Sequence, residues 1–190
     1  MSAYGLVNIR IDAKRHRQAL LKAAREVFLL HGITAPLELV IAQSGLGRAT
    51  LYRHFPDRAS LALALGSQSL DSLALLVDTG NGSASLQDLF DHLVRSHTAN
   101  PFLADVWRVA SSRADEARQL IDRFCALFEA PIRQAIAEGT CRPDLKPSDM
   151  FLVLAMLGSS IREPDSEARQ RMVERMRELI GEGVWPRPLS

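Results

Sequence analysis

Apolar residues along this chain recur at helical spacing and nowhere settle into the alternation of a strand. In Lys14 to His31, Leu20, Ala24, Val27 and Phe28 fall at i, i+4, i+7 and i+8 on one helix face, and Gly32 is placed to end the helix. Pro36 suits the first turn of a second, short helix that carries Leu37, Val40 and Ile41 inward and runs to about Ser44. Glu38 sits in that first turn, where the helix dipole favours an acid. Gly45 then supplies a residue able to take positive φ at a helix end. A third helix is predicted from about Arg48 to His54, cut short because Pro56 disfavours helical geometry at Phe55. Asp57 is the predicted N-cap of a fourth, running through LALALGSQSLDSLALLV.

Behind these, TGNGSAS (79–85) reads as a linker between two helices of one body. Further helices are predicted at about 85–99, 101–111, 113–138, 147–162 and 165–182, with breaks at Pro101, at Gly139 to Pro147 and at Pro164. The fold class is all-α, with about nine helices. Apolar residues make up 47% of the 190, enough for a sizeable core. No apolar run approaches the roughly 20 residues that span a bilayer, and the first residues lack the apolar stretch of a secretory signal. A cytoplasmic protein with no membrane partner is the expectation. Cys125 and Cys141 form no C-x-x-C pair and are read as reduced thiols.

Charge is unevenly spread. Residues 1–60 hold nine Lys/Arg against four Asp/Glu, a net of +5, while residues 61–190 carry a net of −4. An anion-facing front is one reading of that asymmetry, and a solvated basic face is the other. Within the front, SGLGRATLYRHF (44–55) poses a choice between a phosphate-cradling glycine loop and the turn of a helix-turn-helix. A dinucleotide loop needs a preceding strand and a third glycine. Here LELVIAQ continues a helix and Thr50 stands at the third glycine position; a Walker loop fails too, for want of Gly-Lys-Ser/Thr. The helix-turn-helix reading meets its demands: two short helices, a glycine-containing turn, and Leu46 and Leu51 to pack against the helices in front. Arg48, Ala49, Thr50, Tyr52, Arg53 and His54 make the third helix too polar for a core element, which makes sense if one face meets a polyanion.

The run from Ala19 to Leu61 resembles the N-terminal DNA-binding domain of the TetR family of bacterial transcriptional regulators, through AAREVF and HG, IAQSGLG, and above all TLYRHFPDRASL. EGTCRPDLKPSD is similar to a loop that often precedes the last helices of such proteins. Two positions depart from the family pattern. Gly47 stands where a capping hydroxyl is common, and Arg58 where lysine is common. The resemblance implies a helix-turn-helix DNA-binding domain over 1–58 and a helical effector-binding and dimerisation domain over 59–190. Arg48 is the candidate base reader, able to donate twice to guanine, with a phosphate contact as the alternative. Ala49 and the Thr50 methyl suit a thymine methyl, and the Thr50 hydroxyl a phosphate. Tyr52 and His54 match positions that contact the DNA backbone, with partial burial and a solvated ring as their respective alternatives. Arg53 is left open between reading a base and sitting beside the groove. Arg58, at the start of the fourth helix, is expected to clamp phosphate, and Lys14, Arg15 and Arg17 to add screened attraction or simply to be solvated.

One recognition helix reads few base pairs, so a homodimer on a pseudo-palindromic duplex operator is implied. MFLVLAMLG (150–158) is apolar all round, with Ala155, Gly158, Ser159 and Ser160 small enough for close helix approach; Ala168, Met172, Val173, Met176, Leu179 and Ile180 form one stripe of the last helix. Phe102, Trp107, Phe124 and Phe128 are the aromatic candidates for lining a pocket that would hold a small apolar or amphipathic effector, with core packing as their alternative. His92, His97, Arg95 and Arg113 offer polar anchors. His92 and His97, five apart, do not share a helix face, and no metal site or cofactor is expected. No catalytic motif is present: neither G-x-S-x-G nor H-E-x-x-H occurs. The leading expectation is a repressor released by a small molecule. An activator or dual regulator of the same fold, or a helical interaction protein that does not bind DNA, stands as the alternative.

Overall fold

The computed structural model describes residues 3–78, 85–158 and 165–185, and all the regular structure among them is helical. Nine α-helices follow in order: α1 (Ala3–His31), α2 (Leu37–Ser44), α3 (Arg48–His54), α4 (Arg58–Asp78), α5 (Leu86–Ala99), α6 (Val106–Val109), α7 (Ala114–Ala137), α8 (Pro147–Gly158) and α9 (Ser166–Val184). The first helix starts well before Lys14, because nothing between Ala3 and Lys14 breaks a helix except the tolerable Gly5. The linker at 79–84 and the segment 159–164, which holds Ser159, Ser160 and Pro164, lie outside the described residues.

Helix ends follow the predicted chemistry. Gly32 adopts φ +76° and its N–H donates to the Phe28 carbonyl at 2.9 Å, closing α1. Gly45 does the same for α2 at φ +67°. Asp57 caps α4: its Oδ1 accepts from the Ser60 N–H at 2.7 Å, and Ser60 Oγ accepts from the Asp57 N–H. Ser85 and Asp88 form a reciprocal capping box on α5.

The predicted helix at 101–111 is replaced by three pieces: a 3-10 turn (Pro101–Asp105), the four-residue α6, and a second 3-10 turn (Ala110–Arg113). So short an α-helix consists of little but termini, whose hydrogen bonds tighten to i→i+3. Phe102, Val106 and Ala110, four apart and all buried, still anchor the segment along one side.

α4 is the hub, with five consecutive buried residues from Leu61 to Leu65, and it touches α1, α5, α6 and α7. It corrects one reading of the sequence, since Arg58–Val77 has the length and apolarity of a membrane-spanning helix. Its apolarity is spent on packing against helices on several sides. The buried side chains form one cluster running from Leu20 to Val184, so front and body share a core. Gly158 brings α8 against the turn at Ala104, where an added Cβ would come within 2.6 Å of the Ala104 Cβ. That small residue therefore serves close packing inside the chain.

Candidate DNA-reading head and effector cavity

α3 is held by its inner side and offers its outer one. Leu51 is 0% exposed, Phe55 beyond it is buried, and Leu46 and Tyr52 lean on the same core. The turn is fixed locally: Ser44 Oγ donates to the Ile41 carbonyl at 3.0 Å and accepts from the Leu46 N–H. Gly47, at the N-cap, makes no side-chain bond, but its carbonyl accepts from the Thr50 N–H at 2.9 Å. With Leu51 pinned, the helical repeat turns Arg48, Ala49 and Arg53 outward, all exposed, with Thr50 half-buried beside them. The Arg48 side chain is 68% exposed; its Nη1 lies 3.6 Å from Glu38 Oε1, and its guanidinium stands over the Tyr52 ring. Exposed pairs of this kind are weak, about 0–1 kcal/mol, so Arg48 can exchange Glu38 for another partner.

Other residues are more committed. Arg58 turns inward: its Nη1 donates to the Ile33 carbonyl at 2.6 Å and its guanidinium lies 6.0 Å from the centre of the Phe28 ring. This differs from a freely projecting clamp, because the α1–α2 loop leaves a carbonyl that needs a donor. His54 is half-buried, with Nε2 enclosed and unpartnered, so that atom does not face outward. Burial, and then Arg53, Arg17 and His16 nearby, hold its pKa below the ordinary histidine value. Of the three basic residues before the reading head, Lys14 and Arg15 are exposed, while Arg17 stacks over Phe55 at 4.5 Å.

The body contains a largely apolar cavity of about 50 Å³, partly open to solvent, between α4, α5, the 101–109 segment, α7 and α8. Of the four aromatic candidates, Trp107 and Phe124 line it. Phe102 and Phe128 do not. Phe102 packs edge-on against Phe28 of α1 at 6.0 Å, and Phe128 is fully buried beside Phe124. Core packing, the alternative reading, accounts for both.

His92 and His97 line the same cavity although they do not share a helix face. The cavity wraps enough of α5 to meet residues about 140° apart. His97 is only 2% exposed, and among the described residues neither ring nitrogen has a hydrogen-bond partner. Burial pushes its pKa down to about 4, against an opposing pull from the Leu157 backbone beside it. Burial, and then Arg95, lower His92 as well.

One contact between front and body has no trace in the local sequence. Arg113, just ahead of α7, grips Asp57 through Nε and Nη2 at 3.0–3.2 Å, while its Nη1 holds Glu116. The Asp57 carboxyl is held below the usual range, first by the Arg113 hydrogen bonds. One carboxylate thus caps α4 beside the reading head and docks the segment that forms a cavity wall. Arg113 lies 56 residues from Asp57, so no short-range pattern announces the pair.

Residues 20–65 match the family described as bacterial regulatory proteins, tetR family. No curated protein matches the chain. Among solved structures, a TetR transcriptional regulator from Streptomyces coelicolor is similar at 29% identity, covering 90% of this chain and 99% of that one, with a TM-score of 0.59. NalD, the secondary repressor of the MexAB-OprM multidrug efflux pump in Pseudomonas aeruginosa, shares the fold at 18% identity, covering 90% and 98%, with a TM-score of 0.59. A gamma-butyrolactone receptor shares it at 22% identity, covering 92% and 90%, with a TM-score of 0.55. With the helix-turn-helix in front and an all-helical body behind, residues 20–65 carry the helix-turn-helix domain of tetR-family bacterial regulatory proteins, and the whole chain is similar to TetR transcriptional regulators.

Proposed function

We propose that this regulator is a homodimeric cytoplasmic repressor, bound to a pseudo-palindromic operator and released from it by a small apolar or amphipathic effector. The observation that carries the DNA reading is α3, pinned by Leu51 and bare at Arg48, Ala49 and Arg53. In this reading residues 1–58 read DNA and 59–190 bind effector and partner, with no catalytic step assigned. Arg48 exchanges Glu38 for a guanine edge, Ala49 and Thr50 approach a thymine methyl, and Tyr52 meets phosphate. Arg53 and the outer edge of His54 lie close enough along the same helix to join the backbone contacts. Arg58 contributes through the guanidinium nitrogens not donated to Ile33.

Dimerisation is supported by the apolar side chains that α8 and α9 leave exposed: Leu152 at 59%, Leu179 at 53%, with Met156 and Met172 beside them. A single protomer gives that face no cover, and a second copy related by a two-fold would pair it with itself. Two reading heads would then meet half-sites about 34–36 Å apart, or a multiple of that.

Effector release is supported by the cavity and by the Arg113–Asp57 link. A ligand against Trp107 and Val106 displaces the 101–113 segment, and Arg113 passes the shift to the turn before α4. A coupling of about 1–3 kcal/mol changes operator affinity 5–150-fold. Selection from randomised duplex DNA, followed by titration at several salt concentrations, tests the reading. A recovered inverted repeat and a steep salt slope are expected; equal affinity for every duplex removes it.

A further inference from the structure

The effector reading leaves the chemical class of the ligand open, and the cavity narrows it. Its walls are chiefly aliphatic and aromatic, including Leu70, Leu73, Trp107 and Phe124, and among the described residues none of the side chains lining it is Lys, Arg, Asp or Glu. At one place it is polar: His97, with Ser69, Ser96 and His92. Ser69 and Ser96 already share a hydrogen bond at 3.4 Å. His97 has no such bond: among the described residues neither nitrogen meets a partner in hydrogen-bonding geometry, an arrangement that costs stability and that buried polar groups normally avoid.

We propose that the cavity takes an uncharged, single-ring or similarly compact apolar molecule bearing one hydroxyl, whose oxygen supplies the hydrogen bond that His97 lacks. The inference rests on the reading of this cavity as the effector site. A hydroxyl suits either nitrogen of a neutral imidazole, since it donates to the bare one and accepts from the protonated one. A carboxylate does not suit: no cation among the described residues lines the cavity, and the imidazole resists protonation. The size follows from the volume. Benzene fills a cavity of about 150 Å³, and the enclosed space here is smaller, about 50 Å³ with an open mouth, so it suits a compact molecule of at most one ring and no polycycle.

The test uses three probes of nearly equal shape on the full-length protein: para-ethylphenol, ethylbenzene and para-ethylbenzoate. Binding is read by calorimetry and by the fluorescence of Trp107, with a Trp185→Phe background to isolate it. Para-ethylphenol is expected to bind at least about tenfold more tightly than ethylbenzene, because only the phenol satisfies the buried nitrogen. His97→Leu should bring that ratio close to one while ethylbenzene binds at least as well as before, and His97→Gln should keep part of the preference. Should His97→Leu fail to fold, nitrogen-15 shifts of the His97 ring in the unaltered protein decide the same point: they should move with the phenol and not with ethylbenzene. Equal affinity for phenol and hydrocarbon, a preference that survives His97→Leu, tighter binding of the benzoate, or no binding at all would each overturn the inference. Operator release by the bound probe is measured separately, by fluorescence anisotropy. Binding without release removes the effector reading and leaves the ligand class standing.

Discussion

Arg48 and His97 stand in the two proposed sites, and each gives a prediction at the scale of one side chain. Arg48 is exposed and tied only to Glu38 across 3.6 Å. Arg48→Ala is expected to relax preference at one operator position by about 1–3 kcal/mol, with the salt slope nearly intact; equal losses on specific and random duplexes would remove its reading role. Arg58→Ala should weaken all duplexes alike and lower that slope by about one. At His97 the folded pKa of about 4 lies below the unfolded 6.5. Between those values the unfolded chain binds a proton that the folded chain refuses. Stability is therefore level above about pH 6.5 and falls as pH drops toward 4, by roughly 3 kcal/mol at most. Urea titrations at several pH values should show this slope, and His97→Leu should flatten it.

Between elements, the decisive joint is Asp57 with Arg113. The carboxylate accepts the Ser60 N–H at the start of α4 and the guanidinium from ahead of α7, so two helix starts share one anion. Arg113→Ala leaves the cap and removes the dock. Operator binding without effector should change little, while effector-induced release should weaken by about 5-fold or more, the lower end of an ordinary coupling; anisotropy titrations with and without effector measure both. If release is unchanged, the joint carries no signal. The helices themselves are legible in the sequence. Gly32, Gly45, Pro56 and Asp57 place the ends of α1 through α4 because helix termination depends on residues within one turn. The 101–113 segment is not, since its 3-10 turns answer to the burial of Phe102, Val106 and Ala110 against distant helices.

For the molecule as a whole, the exposed apolar face of α8 and α9 predicts the assembly. Glutamate at both Leu152 and Leu179 is expected to give a monomer in sedimentation, with near-normal helix content. Operator affinity should fall on the order of 100-fold or more, because two linked reading heads bind far better than one. A persistent dimer in the double variant would move the interface elsewhere. The apolar pattern of 150–158 reads as burial on every side, and within one chain it divides: Met150, Val153 and Leu157 face inward while Leu152 faces out.

What could be read from residues alone is what local chemistry governs. Helical periodicity set the class, glycines and prolines set the ends, and the polar run from Arg48 to His54 marked the helix whose outer side stands exposed. Contacts between residues far apart in the chain carry no such signature. Which aromatics line a cavity and which fill the core, the inward turn of Arg58 onto Ile33, the clamp of Arg113 on Asp57 and the isolation of His97 all depend on how helices cross. Helix crossing is settled by the sum of many weak side-chain contacts, and no short window of sequence contains that sum.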